Sequence, residues 1–190
     1  MVMATATTTP RDRLLTAAAA LFYRDGVTAT GVERICATAG VSKRSMYQLF
    51  PTKDALVAAA LAEDGPAVHA AFLPDDTVTE PRERILHVFR ALEDTVAQPG
   101  FFGCRFVNTA SDLRDPTHPA AVLAREFKQE LTDWFAAEAR TGGATDPDLL
   151  ARQLTVVFDG SGARTVVHGT TLDGLSVTTA AALLDGAGVK

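Results

Sequence analysis

The chain contains no run of about 18 apolar residues, so it offers no candidate membrane span. Its opening residues, MVMATATTTPRDR, lack the apolar centre of a secretory leader, and the expected location is the cytoplasm. Cysteine is scarce. Cys36 and Cys104 are the only two in 190 residues; both lie in apolar helical contexts, which excludes a disulfide framework and fits reduced thiols. The four histidines, His69, His87, His118 and His168, show neither HExxH spacing nor a metal-ligand cluster, and no phosphate-binding loop or GxSxG elbow is present. Neither metal nor cofactor is expected, and the chain is not expected to be an enzyme. Alternating strand patterns and internal repeats are also lacking, so the expected class is all-α, with about nine helices.

Net positive charge is lacking too. The total is −5, an unpromising figure for a nucleic-acid binder until the chain is divided. Residues 1–53 carry seven basic side chains (Arg11, Arg13, Arg24, Arg34, Lys43, Arg44, Lys53) against three acidic ones (Asp12, Asp25, Glu33), a local charge of +4 that leaves −9 for the remainder. This asymmetry fits a basic nucleic-acid domain joined to an acidic one. With 47% apolar and 22% charged residues the chain can build a packed core.

What is present is concentrated in Gly31–Phe50, GVERICATAGVSKRSMYQLF. Val32, Ile35, Cys36 and Ala39 form one buried stripe of a helix, with Thr30 placed as its N-cap. Gly40 supplies a left-handed turn and Ser42 caps a second helix. There Met46, Leu49 and Phe50 are expected inward, while Lys43, Arg44, Ser45, Tyr47 and Gln48 face outward. Pro51 disfavours helix at Phe50 and ends it. The pattern is a helix-turn-helix. Arg44 is the residue type that reads guanine O6 and N7, Tyr47 suits a phosphate, and Thr30, Ser42 and Lys53 are candidates for the flanking backbone.

Residues Leu14 to Leu56 resemble the N-terminal domain of TetR (AcrR-like) transcription regulators. The resemblance is carried by Ala17-Ala18-x-x-Leu21-Phe22 with Gly26-Val27, Thr30-x-Val32-x-x-Ile35, Ala39-Gly40-Val41-Ser42, and Ser45-Met46-Tyr47-x-x-Phe50-x-x-Lys53-Asp54-x-Leu56. Cys36 stands where Ala is commoner and Leu49 where His or Tyr is. The resemblance implies DNA contacts from Thr30, Gly31, Ser42, Lys43, Arg44, Ser45, Tyr47 and Lys53. It also implies a ligand-responsive regulator, most often a repressor, that binds a near-palindromic double-stranded operator as a homodimer and is released by a small-molecule effector. The alternative is a helical carrier or enzyme in which the helix-turn-helix segment is incidental.

The expected division is a DNA-binding domain over residues 8–63 and a ligand-binding and dimerisation domain over 64–190. An arm over residues 1–8 is considered for a minor-groove contact. Thr9-Pro10 starts the first helix, which buries Leu14, Ala17, Ala18, Leu21 and Phe22 and closes at Gly26. Thr52 caps the fourth helix, and Gly65-Pro66 either kinks or ends it. Later helices are expected from Pro81, over Phe101–Leu113, from Ala120 to Arg140, from Asp148 to Val167 and from Leu175 to Leu184.

Gly103-Cys104 with Asn108 and Ala110, Asp115-Pro116-x-His118-Pro119 and Asp159-Gly160 resemble one type of C-terminal domain in the same family. By family position the effector pocket would draw on His87, Phe89, Phe102, Cys104, Phe106, Asn108, Phe127, Trp134 and Phe158, with Phe101 and Arg105 also considered. The dimer contact would draw on Gly160, Gly162, Ala163, Val166, Val177, Ala180 and Leu184. Gly160 and Gly162 permit two readings, close approach of two backbones or a helix break. Cys104 permits two as well, a small buried hydrophobe or a reactive thiol beside Arg105.

Overall fold

The structure, a computed structural model, describes residues 8–190; the N-terminal arm lies outside the described residues. Among these residues the architecture is all-helical, with no strand. The helices are α1 (Pro10–Asp25), α2 (Val32–Ala39), α3 (Lys43–Leu49), α4 (Lys53–Ala70), α5 (Pro81–Val96), α6 (Arg105–Leu113), α7 (Pro119–Thr141), α8 (Pro147–His168) and α9 (Leu175–Ala187). No helix among them is long and apolar enough to cross a membrane.

The chain forms two compact units. One holds the described residues up to Asp64 together with Asn108–Ala124; the other holds Gly65–Val107 with Arg125–Lys190. The division expected at residues 63 and 64 made no provision for Asn108–Ala124, the end of α6 and the start of α7.

Local chemistry sets the helix starts in the N-terminal unit. Thr9 and Asp12 form a reciprocal capping box: the Asp12 amide donates to Thr9 Oγ1 at 3.2 Å and the Thr9 amide to Asp12 Oδ2 at 3.0 Å, which satisfies two otherwise orphan donors. Thr52 Oγ1 accepts from the Ala55 amide at 3.0 Å at the head of α4. His118 caps α7, its Nδ1 accepting from the Ala120 amide at 3.0 Å. On the other side of the ring, Nε2 lies 3.4 Å from Asp54 Oδ1 in the first turn of α4. The core of this unit is Leu14, Leu15, Ala18, Leu21 and Phe22 of α1, Ile35 of α2, Met46 and Phe50 around α3, and Leu56 and Val57 of α4, all buried.

The C-terminal unit packs α5, the later part of α7, α8 and α9 around Phe89, Phe135, Leu154, Phe158, Ala180 and Leu184. Phe89 stacks on Phe135 with ring centroids 5.8 Å apart and meets Phe158 edge-on at 6.3 Å. The end of α9 is tied down by Arg82 to Asp185 at 2.7 Å. The start of α9 has Gly174 as its N-cap residue, with no side chain of its own to accept from the first amides. A carboxylate from α5 takes that role. Glu93 accepts from the amides of Gly174 (2.7 Å), Ser176 (3.0 Å) and Val177 (3.3 Å) and from Ser176 Oγ (2.7 Å). An anion held by several amides at a helix N-terminus is favoured by both the hydrogen bonds and the helix dipole.

The backbone excludes one of the two readings at Gly65-Pro66 and one of the two at Gly160 and Gly162. Helix α4 continues through Gly65 and Pro66 to Ala70, so the pair does not end it. Gly65 is needed there because Phe127 lies across it: a Cβ at that position would stand 2.1 Å from Phe127 Cζ. That ring is held in turn by stacking on Phe106, with centroids 4.9 Å apart. Helix α8 likewise runs unbroken through Gly160 and Gly162. Gly65→Ala therefore sets two effects against each other. Alanine gains about 1 kcal/mol of helix propensity, whereas overpacking costs about 1–3 kcal/mol. The expected result is a net loss of about 1 kcal/mol in urea unfolding; a gain in stability would show that the ring moves aside without cost.

Candidate nucleic-acid interface

The helix-turn-helix forms where the spacing placed it. Val32, Ile35, Cys36 and Ala39 are buried on α2. Gly40 adopts φ +62°, a conformation costly for residues with a Cβ, and the Val41 amide behind it donates to the Cys36 carbonyl at 3.0 Å. Ser42 caps α3 by accepting from the Ser45 amide at 3.1 Å, and the two serine hydroxyls share a hydrogen bond of 2.9 Å. Burial raises the Cys36 thiol above its usual range, against a smaller opposing effect of Lys43. This makes Cys36 a packing residue and a poor nucleophile.

Three expectations are corrected. Thr30 does not cap α2; Gly31 occupies that position without a side-chain bond. Thr30 is 0% exposed and its hydroxyl donates to the Gly26 carbonyl at 2.6 Å, so it locks the loop before α2 and cannot touch a DNA backbone. Leu49 is 42% exposed, not inward. The buried line of α3 runs through Met46 and Phe50, and a residue three positions after Met46 falls to one side of it at about 100° per residue. Lys53 is half-buried and its ammonium donates to the Val27 carbonyl, which binds α4 to the loop.

The loop between α1 and α2 is held from α6 as well. Asp112 Oδ2 accepts from the Thr28 amide at 2.9 Å and Oδ1 accepts from the Thr28 hydroxyl at 2.5 Å. Burial alone would push the Asp112 carboxyl up, but the Thr28 and Val27 hydrogen bonds and the nearby Lys53 charge outweigh it, and the net shift is downward. A carboxyl depressed in the folded state stabilises it above the unfolded value, near 3.8, and this contribution is lost as pH falls through the folded value. Asp112→Asn should cost about 1–2 kcal/mol at pH 6. The difference from wild type should shrink below pH about 3.8 and vanish in stronger acid, as read by urea unfolding across pH. A difference independent of pH would mean that the charge contributes nothing. No sequence spacing links positions 28 and 112, and this residue was not foreseen.

The basic residues counted in the sequence are mostly engaged. Arg24 and Arg34 both reach Asp25, at 2.8 Å and 3.0 Å. Arg13 donates to the Ala39 carbonyl at 3.0 Å, and Arg11 lies 3.8 Å from Glu63. Lys43 pairs with Glu33 of α2; their hydrogen bond holds the carboxyl below and the ammonium above their ordinary ranges. Among the described residues Arg44 is the one basic side chain of residues 1–53 with no hydrogen bond, ion pair or ring contact, and it is exposed on α3. Tyr47 is exposed beside it. A capped second helix that presents an unpaired guanidinium and a phenol to solvent is the arrangement found in DNA-binding proteins of the helix-turn-helix class.

Comparison with known proteins narrows that class. The family model for bacterial regulatory proteins of the tetR family matches residues 14–60. A solved structure of a protein assigned as a TetR transcriptional regulator (sav143) from Streptomyces avermitilis is 52% identical; the match covers 96% of this chain and 100% of that one, with a TM-score of 0.92. SCO4454, a TetR-family transcriptional regulator from Streptomyces coelicolor, is 26% identical over 94% of this chain and 96% of that chain, with a TM-score of 0.85. The HTH-type transcriptional regulator YjdC of Escherichia coli is 24% identical over 166 residues, 86% of each chain. The chain belongs to the TetR family of transcriptional regulators.

The residues expected around an effector differ in burial. Phe89, Phe106 and Phe158 are buried; Phe127 is half-buried and stacks on Phe106, and Trp134 is half-buried against Phe135. His87 and Cys104 are half-buried, Phe102 is exposed, and Asn108 is exposed in the segment that belongs to the N-terminal unit. Of the residues expected at a dimer contact, Gly160, Ala163 and Val166 are exposed on α8 and Val177 is half-buried. Ala180 and Leu184 are corrected: both are 0% exposed inside the core of their own unit and cannot meet a partner. Gly162 is also turned inward, an ideal Cβ there lying 3.7 Å from Phe101 Cζ.

Proposed function

We propose that the protein is a repressor that binds a near-palindromic operator as a homodimer, in the cytoplasm, and releases it when a small-molecule effector occupies the C-terminal unit. The observation that carries operator reading is Arg44, exposed and unpartnered among the described residues on the second helix of the helix-turn-helix. One such helix contacts only a few base pairs, and a two-fold pair doubles the site. Support for the pair comes from α8, where Leu149, Val156, Gly160, Ala163 and Val167 recur at helical spacing on an exposed side. Val156 is 72% and Val167 77% exposed. A stripe of this kind is a candidate for burial against a second copy. Helices α4, α6 and α7 each have residues in both units, which gives an effector a covalent route to the DNA-binding residues. A coupling of about 1–3 kcal/mol changes operator affinity roughly 5–150-fold. The role is regulatory, with no catalytic step.

The test is a salt-dependent gel shift on the DNA upstream of the protein's own gene, with the mass of the complex read by sedimentation. Two chains per operator and a preference over random duplex are expected. A compound that raises the melting temperature in a screen of apolar metabolites should weaken the complex. Equal binding to random DNA at low salt removes the operator reading; one chain per operator removes the dimer alone.

A further inference from the structure

The burial pattern of α3 fixes which side chains lie opposite its packed line. Met46 and Phe50 are buried. At about 100° per residue, Lys43 with Tyr47 and Ser45 with Leu49 form the two shoulders, and Arg44 with Gln48 lie opposite the core. The shoulders are largely engaged or chemically limited: the Lys43 ammonium is held by Glu33 and the Ser45 hydroxyl bonds to Ser42. Leu49 has only an apolar surface to offer. Gln48 is exposed, and among the described residues its carboxamide has no partner.

We propose that Gln48 is a specificity-determining residue that selects adenine, paired with a guanine selected by Arg44. The proposal rests on the operator-binding reading above. A carboxamide presents a donor and an acceptor side by side, complementary to adenine N7 and N6, whereas a guanidinium presents two donors to guanine O6 and N7. Residues four apart rise about 6 Å along a helix, close to two base-pair steps of about 3.4 Å. The guanine and the adenine therefore lie within two steps of each other in each half-site.

The experiment is selection from a random duplex pool by the full chain, as wild type, Gln48→Ala and Gln48→Glu. Wild type is expected to enrich half-sites with guanine and adenine at this separation. Gln48→Ala should leave the rest of the motif and make the adenine position degenerate. Gln48→Glu, an acceptor only, should replace adenine by cytosine, whose N4 donates, with discrimination of at least about fivefold. If both variants select the wild-type motif unchanged, the assignment of Gln48 is overturned and operator binding stands. If the wild type enriches no motif, operator binding itself fails and the assignment falls with it.

Discussion

Glu93→Ala is expected to lower the unfolding free energy by about 2–4 kcal/mol, a fall in melting temperature of about 4–15 °C for a chain of this size. The carboxylate accepts four hydrogen bonds at the head of α9. Hydrogen bonds to a charged group contribute about 1.5–3 kcal/mol, and stranded buried donors cost about 1–3 kcal/mol more. Ser176, which gives two of the four, is only 1% exposed, so water cannot easily replace the lost acceptor. Glu93→Gln keeps one acceptor oxygen and should lie between wild type and alanine. Unfolding has to be compared at one protein concentration, because association adds its own stabilisation. A change under about 0.5 kcal/mol would show that Gly174 and its neighbours find other acceptors.

Arg44→Ala is expected to weaken specific DNA binding by about 1–3 kcal/mol per half-site, hence about 2–6 kcal/mol for a symmetric pair. Most of the affinity for random duplex should remain, because it comes from phosphates and diffuse charge. The contrast with Lys43 makes the test selective. Lys43 is already paired with Glu33, so Lys43→Ala should weaken both duplexes alike and change the salt slope by less than about one per half-site. Titration of one operator and one scrambled duplex at two salt concentrations separates the two behaviours. Equal losses on both duplexes from Arg44→Ala would make it a phosphate contact.

The fold was legible because its punctuation is local. Thr9-Pro10, Ser42, Thr52 and Asp146-Pro147 each mark a helix start within three residues of the bond they make. Gly65-Pro66 could not be decided locally: what matters there is Phe127, 62 positions later, lying on the missing side chain. The faces of α9 were unreadable for a different reason. The sequence LSVTTAAALLDGA is apolar almost all round, so nothing in its period told Ala180 and Leu184, which are buried, from residues that face out. Leu49 was misplaced because an apolar residue at i+3 reads as inward even where the packed line is narrow. Asp112 and Glu93 hold partners 84 and 81 positions away, and both look like ordinary surface acids in the sequence.

The N-terminal unit has a consequence for exchanging modules between regulators. Thr28 is gripped by Asp112, and Asp54 faces His118, yet both holding residues arrive late in the chain. A headpiece transplanted as the first 64 residues alone would travel without its clasps. A working graft has to carry two ribbons, the early helices and residues 108–124, so the part that reads DNA is a single body encoded in two places.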